Sequence, residues 1–208
     1  MNRLRVINLG LPKTGTTTLS KALKLSGMRV IDHKIRTRQT SDPDLRHAFT
    51  ADQMYQGYFQ TGDPLARLDE FDGFAEISIL RGDGSLWPQT DWGVMAAIMA
   101  HHPGVKFVAT WRDPFDVSQS MVKWGNMGLE RVPNLNIPGL PEGYGQTTSE
   151  RCQWISAHYD FLDRVFAGSD RYLRLPVADT DARERLASHL GCDIPWWGRA
   201  NVNNEGAA

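Results

Sequence analysis

The stretch Leu11-Pro12-Lys13-Thr14-Gly15-Thr16-Thr17-Thr18-Leu19 decides the fold of this 208-residue chain, because it stands between a strand pattern and a helix pattern. The apolar run over residues 4–9 is short and bounded by Gly10, which is typical of a buried strand. From Thr16 to Gly27 the apolar residues recur with helical spacing. A strand that turns directly into a helix aims the first, unpartnered N–H groups of that helix at one point. The stretch therefore predicts a phosphate-binding turn.

The residue types within this turn suit a phosphate ligand. Gly15 lets the backbone approach a ligand closely, and Lys13 adds a cation. Short hydroxyl donors come from Thr14, Thr16 and Thr17. The glycine spacing matches that of the nucleotide P-loop, G-x-x-x-x-G-K-[ST], but Thr16 stands where the P-loop has its lysine. The turn is thus P-loop-like without being a standard P-loop.

A magnesium-dependent NTPase would also need a carboxylate at the end of a neighbouring strand. The most strand-like run, residues 105–111, ends without one, although Asp32 remains as a substitute. A donor whose group transfer needs no metal fits this sequence better than ATP does. The two cysteines, Cys152 and Cys192, lack the C-x-x-C spacing of a zinc site, so the sequence predicts no metal centre.

The rest of the chain alternates strand and helix patterns. Strands are predicted at residues 28–32, 74–79, 105–111 and 172–175, and helices at 92–101, 113–124, 149–166 and 179–190, with two short helices within 42–71. Residues 125–148 form a long irregular segment of the kind that serves as a lid or binding loop. This order predicts an α/β fold with three layers, in which helices flank a mostly parallel central sheet. We expect a single domain, residues 1–208, that binds its ligand outside the carboxyl ends of the strands.

Composition limits the classes of partner. The chain has 23 basic and 24 acidic residues and a net charge of -1, which argues against a surface that binds nucleic acid or membrane as a whole. No apolar run reaches the length of a membrane span, and the first strand pattern begins without a leader pattern before it. From the sequence we expect a soluble, cytoplasmic protein.

Two motifs, in the same order along the chain, resemble those of sulfotransferases that use 3′-phosphoadenosine 5′-phosphosulfate (PAPS). Residues 11–19 resemble the loop that binds the 5′-phosphosulfate, and Trp111-Arg112-Asp113-Pro114-Phe115-Asp116-Val117-Ser118-Gln119-Ser120 resembles the 3′-phosphate motif. That family has an arginine with a serine eight residues later, which corresponds to Arg112 and Ser120. Ser118 is the rival, but on a helix it lies about 200° around from Ser120, so only one of the two faces the nucleotide. A weaker resemblance covers the strand at 172–175 and the helix after it.

The resemblance implies PAPS as donor, 3′-phosphoadenosine 5′-phosphate (PAP) as product, and no metal requirement. It implies that Arg112 and Ser120 hold the 3′-phosphate, with Arg199 as a further contact from a C-terminal loop, although the pair Trp196-Trp197 could instead pack the tail onto the core. Lys13 would stabilise the charge that develops on the leaving phosphate. The remaining implied donor-site residues are Thr14, Gly15, Thr16 and Thr17.

The acceptor needs a general base, and Glu76 is the first candidate because its strand pattern precedes the strand of Arg112. A carboxylate near this position also resembles the family pattern. The alternative is an exposed acid at a strand end. His33 is the second candidate, since it follows the second strand and its ordinary pKa suits base catalysis. Asp32 and Asp91 are weaker candidates.

The acceptor itself is predicted only as a small or carbohydrate-like molecule with a hydroxyl or amine. Trp124, Met127 and Tyr144 belong to its expected pocket wall. The basic loop of Lys34, Arg36 and Arg38 is either solvated or in contact with the acceptor. Two other functions stay open, an atypical P-loop kinase or NTPase and a nucleotide-binding module without chemistry, and so does the oligomeric state.

Overall fold

A computed structural model describes residues 3–200 as an α/β fold around one five-stranded sheet. The strand order is β2-β3-β1-β4-β5, and every pair of neighbours is parallel, which confirms the predicted fold class. The strands are β1 (Arg5–Asn8), β2 (Val30–Ile31), β3 (Gly73–Phe74), β4 (Val105–Trp111) and β5 (Tyr172–Pro176).

Within residues 3–200, five α-helices connect the strands and a sixth follows β5, and together they cover both faces of the sheet. They are α1 (Thr16–Leu25), α2 (Thr50–Thr61), α3 (Trp92–His101), α4 (Pro114–Lys123), α5 (Thr148–Val165) and α6 (Ala182–Leu190). Successive strand residues point to opposite faces. Ile7 accordingly packs in a core with helices α2 to α5, and Val6 packs in a second core with α1 and α6. No helix within residues 3–200 combines the length and the apolar composition needed to cross a membrane.

The second and third strands are shorter than the sequence predicts. The strand predicted over 74–79 ends at Phe74, because the side-chain amide of Asn8 takes the next carbonyl oxygen, that of Ala75, at 2.8 Å. Glu76 therefore follows the strand instead of lying within it. Since β3 is inserted between β1 and β2, the first two strands do not pair directly.

The segment over 42–71 holds a short 3-10 helix, Pro43–Leu45, and the 12-residue helix α2, where two short helices were predicted. Gly57 lies inside α2, although glycine usually disfavours a helix interior. A Cβ at this position would lie 2.6 Å from the Asp63 carbonyl oxygen, so glycine permits the close return of the chain after the helix. Here tertiary packing, not helix termination, accounts for the glycine.

The segment over 125–148 includes one turn of π-helix, Met127–Arg131, and is otherwise irregular. Leu129 and Tyr144 of this segment are exposed, but four other apolar side chains are buried in the larger core: Met127, Val132, Ile137 and Leu140. The indole N–H of Trp154 on α5 donates to the Pro138 carbonyl oxygen at 3.0 Å. The segment is thus packed against α5 rather than looped into solvent.

Candidate functional site

Three adjacent strands end at one place and bring three predicted site residues together. Lys13 follows β1 at the centre of the sheet, Glu76 follows β3 on one side, and Arg112 follows β4 on the other. All three strands are parallel, so these side chains share the carboxyl edge of the sheet, where open α/β sheets bind ligands. The connection after β1 leads to β2 on one side of β1, whereas the connection after β3 crosses to β4 on the other side. This is the topological switch point of the sheet.

Lys13 lies at the centre of this edge. Its ammonium sits 4.5 Å from the ring centroid of Trp124, the residue that ends α4. Partial burial lowers the pKa of Lys13, the nearby Arg112 lowers it further, and Glu76 opposes them. The Arg112 guanidinium donates a hydrogen bond to the Lys13 carbonyl oxygen at 3.3 Å. The two motifs, residues 11–19 and 111–120, are therefore in direct contact.

The turn between β1 and α1 contains two residues with a left-handed backbone conformation. Lys13 has φ 71° and Gly15 has φ 109°, both in the left-handed region. A Cβ on Gly15 would also lie 2.9 Å from a methyl carbon of Val177, so both the backbone angle and the packing call for glycine. Thr16 is the first residue of α1, and its side chain acts to lower the pKa of the Glu76 carboxyl. Thr17, next along the helix, is exposed.

Thr14 differs from the other threonines of the turn, because its side chain is fully buried. Its hydroxyl donates to the Leu11 carbonyl oxygen at 2.6 Å and lies 2.9 Å from the hydroxyl of Thr110. Its backbone N–H also bonds back to Leu11. Both donors of Thr14 thus close the loop internally, and we assign Thr14 a supporting role in place of the predicted phosphate contact.

A buried amide links the three strand ends. The Asn8 side-chain oxygen accepts the N–H groups of Gly10 at 3.0 Å and Thr110 at 3.1 Å, while its NH₂ group donates to the Ala75 carbonyl oxygen. Asn8 is 1 % exposed, so these hydrogen bonds form away from water, where leaving any of them unmade is costly. Each linked segment precedes one of the three site residues. Asn8 therefore fixes their relative positions.

Two neighbouring side chains of helix α5, Tyr159 and His158, form hydrogen bonds with the backbone at the ends of β1 and β4. The Tyr159 hydroxyl accepts the Leu11 N–H at 3.3 Å and donates to the Thr110 carbonyl oxygen at 2.6 Å. His158 donates its Nε2–H to the Leu9 carbonyl oxygen at 2.8 Å. Burial lowers the pKa of His158 to about 4, so the ring stays neutral at physiological pH. The sequence did not indicate either residue, because their partners next to the turn, Leu9 and Leu11, lie 148 or more positions away along the chain.

Removing the Tyr159 hydroxyl should weaken donor binding. Tyr159→Phe keeps the ring but leaves the Leu11 N–H and the Thr110 carbonyl oxygen without this partner, and we expect the Kd for PAP to rise about tenfold. Calorimetric titration well below the melting temperature measures this. The control is Tyr172→Phe, which removes a hydroxyl bonded to Asp163 at the exposed end of β5. Equal PAP affinity in both variants would show that Tyr159 is structural only.

The Glu76 side chain is half-buried at the carboxyl edge of the sheet. Its Oε1 accepts the Ser78 hydroxyl at 2.6 Å and the Ser78 N–H at 3.4 Å. Burial raises the pKa of Glu76 to about 7, opposed by the hydrogen bonds from Ser78 and Thr16 and reinforced by the field of Asp32. A carboxyl with this pKa exchanges protons readily near neutral pH, as a general base must.

The other candidate bases lie in different surroundings. His33 lies two residues after the end of β2 and Glu76 two residues after the end of the adjacent parallel β3, so both follow strands that end at the carboxyl edge of the sheet. The pKa of His33 is lowered by partial desolvation and by Arg36, Lys34 and Arg131.

Asp32 pairs with Lys24 at 3.5 Å. Asp91 caps α3 by accepting the Val94 N–H and also accepts the Tyr55 hydroxyl, so its side chain has a structural role.

The helix after the Arg112 motif distinguishes its two serines. Asp113 caps α4 by accepting two backbone N–H groups, as predicted. Ser118 is fully buried, and its hydroxyl accepts a hydrogen bond from Arg151 at 2.8 Å, whereas Ser120 is half-buried. Ser118 therefore faces α5. This leaves Ser120 as the serine of the motif that is available to a ligand.

The C-terminal part of the described chain folds back over the start of α1. Trp196 covers the ammonium of Lys21 at 4.0 Å, and the Thr18 hydroxyl donates to the Gly198 carbonyl oxygen at 3.0 Å. Trp196 and Trp197 pack against the smaller core, as the alternative interpretation of this pair predicted. Arg199 is exposed next to this contact.

Comparison with known proteins identifies one domain family. The family model described as a sulfotransferase domain matches residues 5–142, two thirds of the chain. The matched range contains Lys13, Glu76 and Arg112 and ends within the segment over 125–148. No curated protein matches the chain significantly.

Proposed function

Because the chain belongs to the sulfotransferase family, we propose that it moves a sulfuryl group from PAPS to a hydroxyl or amine of a small or carbohydrate-like acceptor. The observation that carries this proposal is the convergence of Lys13, Arg112 and Glu76 on one sheet edge, with two cations beside a carboxyl of raised pKa. We further propose that residues 1–208 form a single domain.

The donor would be held at both of its phosphate ends. The N–H groups of Gly15 and Thr16 would face the 5′ end of the nucleotide, because they lie at the start of α1. Arg112 and Ser120 would hold the 3′-phosphate, with the guanidinium supplying a charge-assisted hydrogen bond. Arg199, which is exposed near the end of the described chain, would add a second cation. The proposed mechanism assigns no role to a metal ion.

In the reaction, Glu76 would take the proton of the acceptor hydroxyl or amine. The acceptor oxygen or nitrogen then forms a bond to sulfur while the bond between sulfur and the 5′-phosphate oxygen breaks. The electron pair of that bond goes to the leaving phosphate, and PAP and the sulfated acceptor are the products. Lys13 would stabilise the negative charge that develops on the bridging oxygen in the transition state. Stabilisation of developing charge has the largest effect on the rate.

The function is tested by incubating the protein with PAPS labelled with ³⁵S and a pool of phenols, amines and sugars. We expect labelled product that forms equally well in the presence of a metal chelator. Donor bound without any transfer would indicate a binding module. Magnesium-dependent turnover of ATP in place of PAPS would indicate a kinase or NTPase.

Arg112→Ala tests the 3′-phosphate assignment. We expect the Kd for PAP to rise roughly 10- to 100-fold, because one charge-assisted contact is lost. The Kd for adenosine 5′-phosphate, which lacks the 3′-phosphate, should change by less than about threefold. Calorimetric titration of both nucleotides gives the comparison. If the two affinities fall by the same factor, Arg112 supports the loop through Lys13 and does not read the 3′-phosphate.

A further inference from the structure

Trp124 has an exposed ring on a backbone that the core holds in place. Its side chain is 55 % exposed, and it ends helix α4. Its N–H donates to the Met121 carbonyl oxygen at 3.3 Å, and its own carbonyl oxygen accepts the Met127 N–H at 3.2 Å. Both methionines are buried in the larger core. The core therefore fixes the position from which the indole extends, while the ring itself stays accessible.

Helix α4 carries Trp124 on the same face as Ser120. The two residues are four positions apart, which places them one above the other on a helix. Ser118 lies on another side of the helix, where it accepts a hydrogen bond from Arg151 of α5. One face of α4 thus holds both the serine proposed for the 3′-phosphate and the ring that the Lys13 ammonium contacts.

The contact with Trp124 orients the Lys13 side chain. The ammonium lies 4.5 Å from the ring centroid, which is within the range of a cation–π interaction. The Lys13 backbone is also held, because its carbonyl oxygen accepts a hydrogen bond from Arg112 at 3.3 Å. Between these two points runs a flexible four-carbon stem. Contact with the ring therefore restricts a side chain that would otherwise sample many rotamers.

An aromatic ring holds this ammonium without neutralising it. The indole attracts a cation through its ring face but carries no net charge, so Lys13 keeps its charge for the donor. A carboxylate in contact with Lys13 would cancel that charge and would itself become less basic. Glu76 accepts its hydrogen bonds from the hydroxyl and the N–H of Ser78 instead. The ammonium and the carboxyl thus have separate partners in the described chain.

We propose, on the basis of the proposed function, that Trp124 is a positioning residue for sulfuryl transfer. Its ring holds the Lys13 ammonium in the orientation from which Lys13 stabilises the leaving phosphate. This role differs from the wall of the acceptor pocket that the sequence predicts for Trp124. A positioning residue changes kcat through Lys13, whereas a pocket wall changes the KM of the acceptor.

A double-mutant cycle between Trp124 and Lys13 tests the proposal. The variants are Trp124→Leu, Lys13→Ala and the two combined, assayed at saturating ³⁵S-labelled PAPS with the phenol, amine or sugar that gives the highest rate. Trp124→Phe keeps an aromatic face and is the conservative variant. The matched control is Trp92→Leu, since Trp92 begins α3 and is exposed to a similar extent, 49 %. Calorimetric titration gives the Kd of each variant for PAP.

Trp124→Leu should lower kcat by about three- to tenfold, and the KM of the acceptor and the Kd for PAP should stay within about twofold of wild type. Trp124→Phe should recover most of the lost rate, and Trp92→Leu should match the wild type. In the Lys13→Ala background, Trp124→Leu should change kcat by less than about 1.5-fold, because the ammonium on which it acts is absent. The ring is exposed, so the melting temperature should change little.

Three results would overturn the proposal: a normal kcat in Trp124→Leu, an equal loss of rate with and without Lys13, or a raised acceptor KM at unchanged kcat. The last two would indicate that Trp124 contacts a substrate directly. Absence of transfer by the wild-type protein would contradict the proposed function, and the role of Trp124 would fall with it. The two failures are therefore separate observations.

Discussion

Replacing Lys13 with alanine should lower kcat for sulfuryl transfer by about 100- to 1000-fold, the usual effect of removing one group that stabilises developing oxyanion charge. The ammonium is the one cation of the turn over residues 11–19, and the N–H groups of α1 remain after the substitution. PAP binding should therefore weaken by a much smaller factor than kcat. Initial rates at saturating donor, together with the Kd for PAP, separate the two effects.

Two variants control this result. Lys13→Arg keeps a cation, and we expect it to recover part of the lost rate. Lys106→Ala removes a lysine from the amino end of β4 and should leave the rate unchanged. The backbone at Lys13 has positive φ, which alanine and lysine adopt at similar cost, so the melting temperature should change little. Normal turnover by Lys13→Ala would refute the catalytic assignment.

The second large effect is expected for Glu76→Gln. Loss of a general base typically costs 100- to 10,000-fold, and an amide has no comparable basicity. For the wild-type protein, kcat/KM should rise with pH and level off above about 7, because Glu76 must be deprotonated to accept a proton. Rate profiles from pH 5 to 9 measure this limb, and it should be absent from the glutamine variant.

The raised pKa of Glu76 also affects stability: raising the pH increases activity but lowers the free energy of unfolding. Glu76 binds its proton more tightly in the folded protein than in the unfolded chain, so between about pH 4.5 and 7 the folded state holds more protons. The free energy of unfolding therefore falls as pH rises through this window. At pH 8, Glu76→Gln should be more stable than wild type by on the order of 1 kcal/mol. An inactive variant that gains stability is the expected signature of a functional carboxyl.

Variants of the neighbouring groups identify the base. Asp32→Asn should keep activity and move the acid limb to lower pH, because the field of Asp32 helps to raise the pKa of Glu76. If His33 were the base, the limb would lie below the ordinary histidine pKa and His33→Asn would abolish it. Retention of the limb near pH 7 in Glu76→Gln would contradict the assignment.

The sequence is sufficient to predict the parts of the site that depend on residues close together along the chain. The turn over residues 11–19 and the helix capped by Asp113 each follow a strand pattern, and short-range rules are sufficient to locate them. Glu76 was predicted because its strand pattern precedes the strand of Arg112 and because a carboxylate near this position resembles the family pattern. The structure confirms the sheet that brings these segments together, while their roles in binding and catalysis remain predictions.

The parts that sequence reasoning did not predict depend on contacts between distant positions. The hydrogen bond from Asn8 to Ala75 ends β3, and periodicity carries no information on it. Tyr159 lies on a helix whose apolar stripe gives no sign that one hydroxyl reaches the phosphate loop. Thr14 has the same residue type as Thr16 and Thr17, and only its burial distinguishes it.

The central claim is that the turn around Lys13 and the motif of Arg112 together hold a nucleotide with phosphates at both its 3′ and 5′ positions. Thermal unfolding in the presence of PAP, or of ATP with Mg²⁺, tests it most directly. At 100 times its Kd, PAP should raise the melting temperature by about 5–10 °C, and ATP with Mg²⁺ should do no more than adenosine 5′-phosphate. A larger shift with ATP and Mg²⁺ than with PAP would contradict the account.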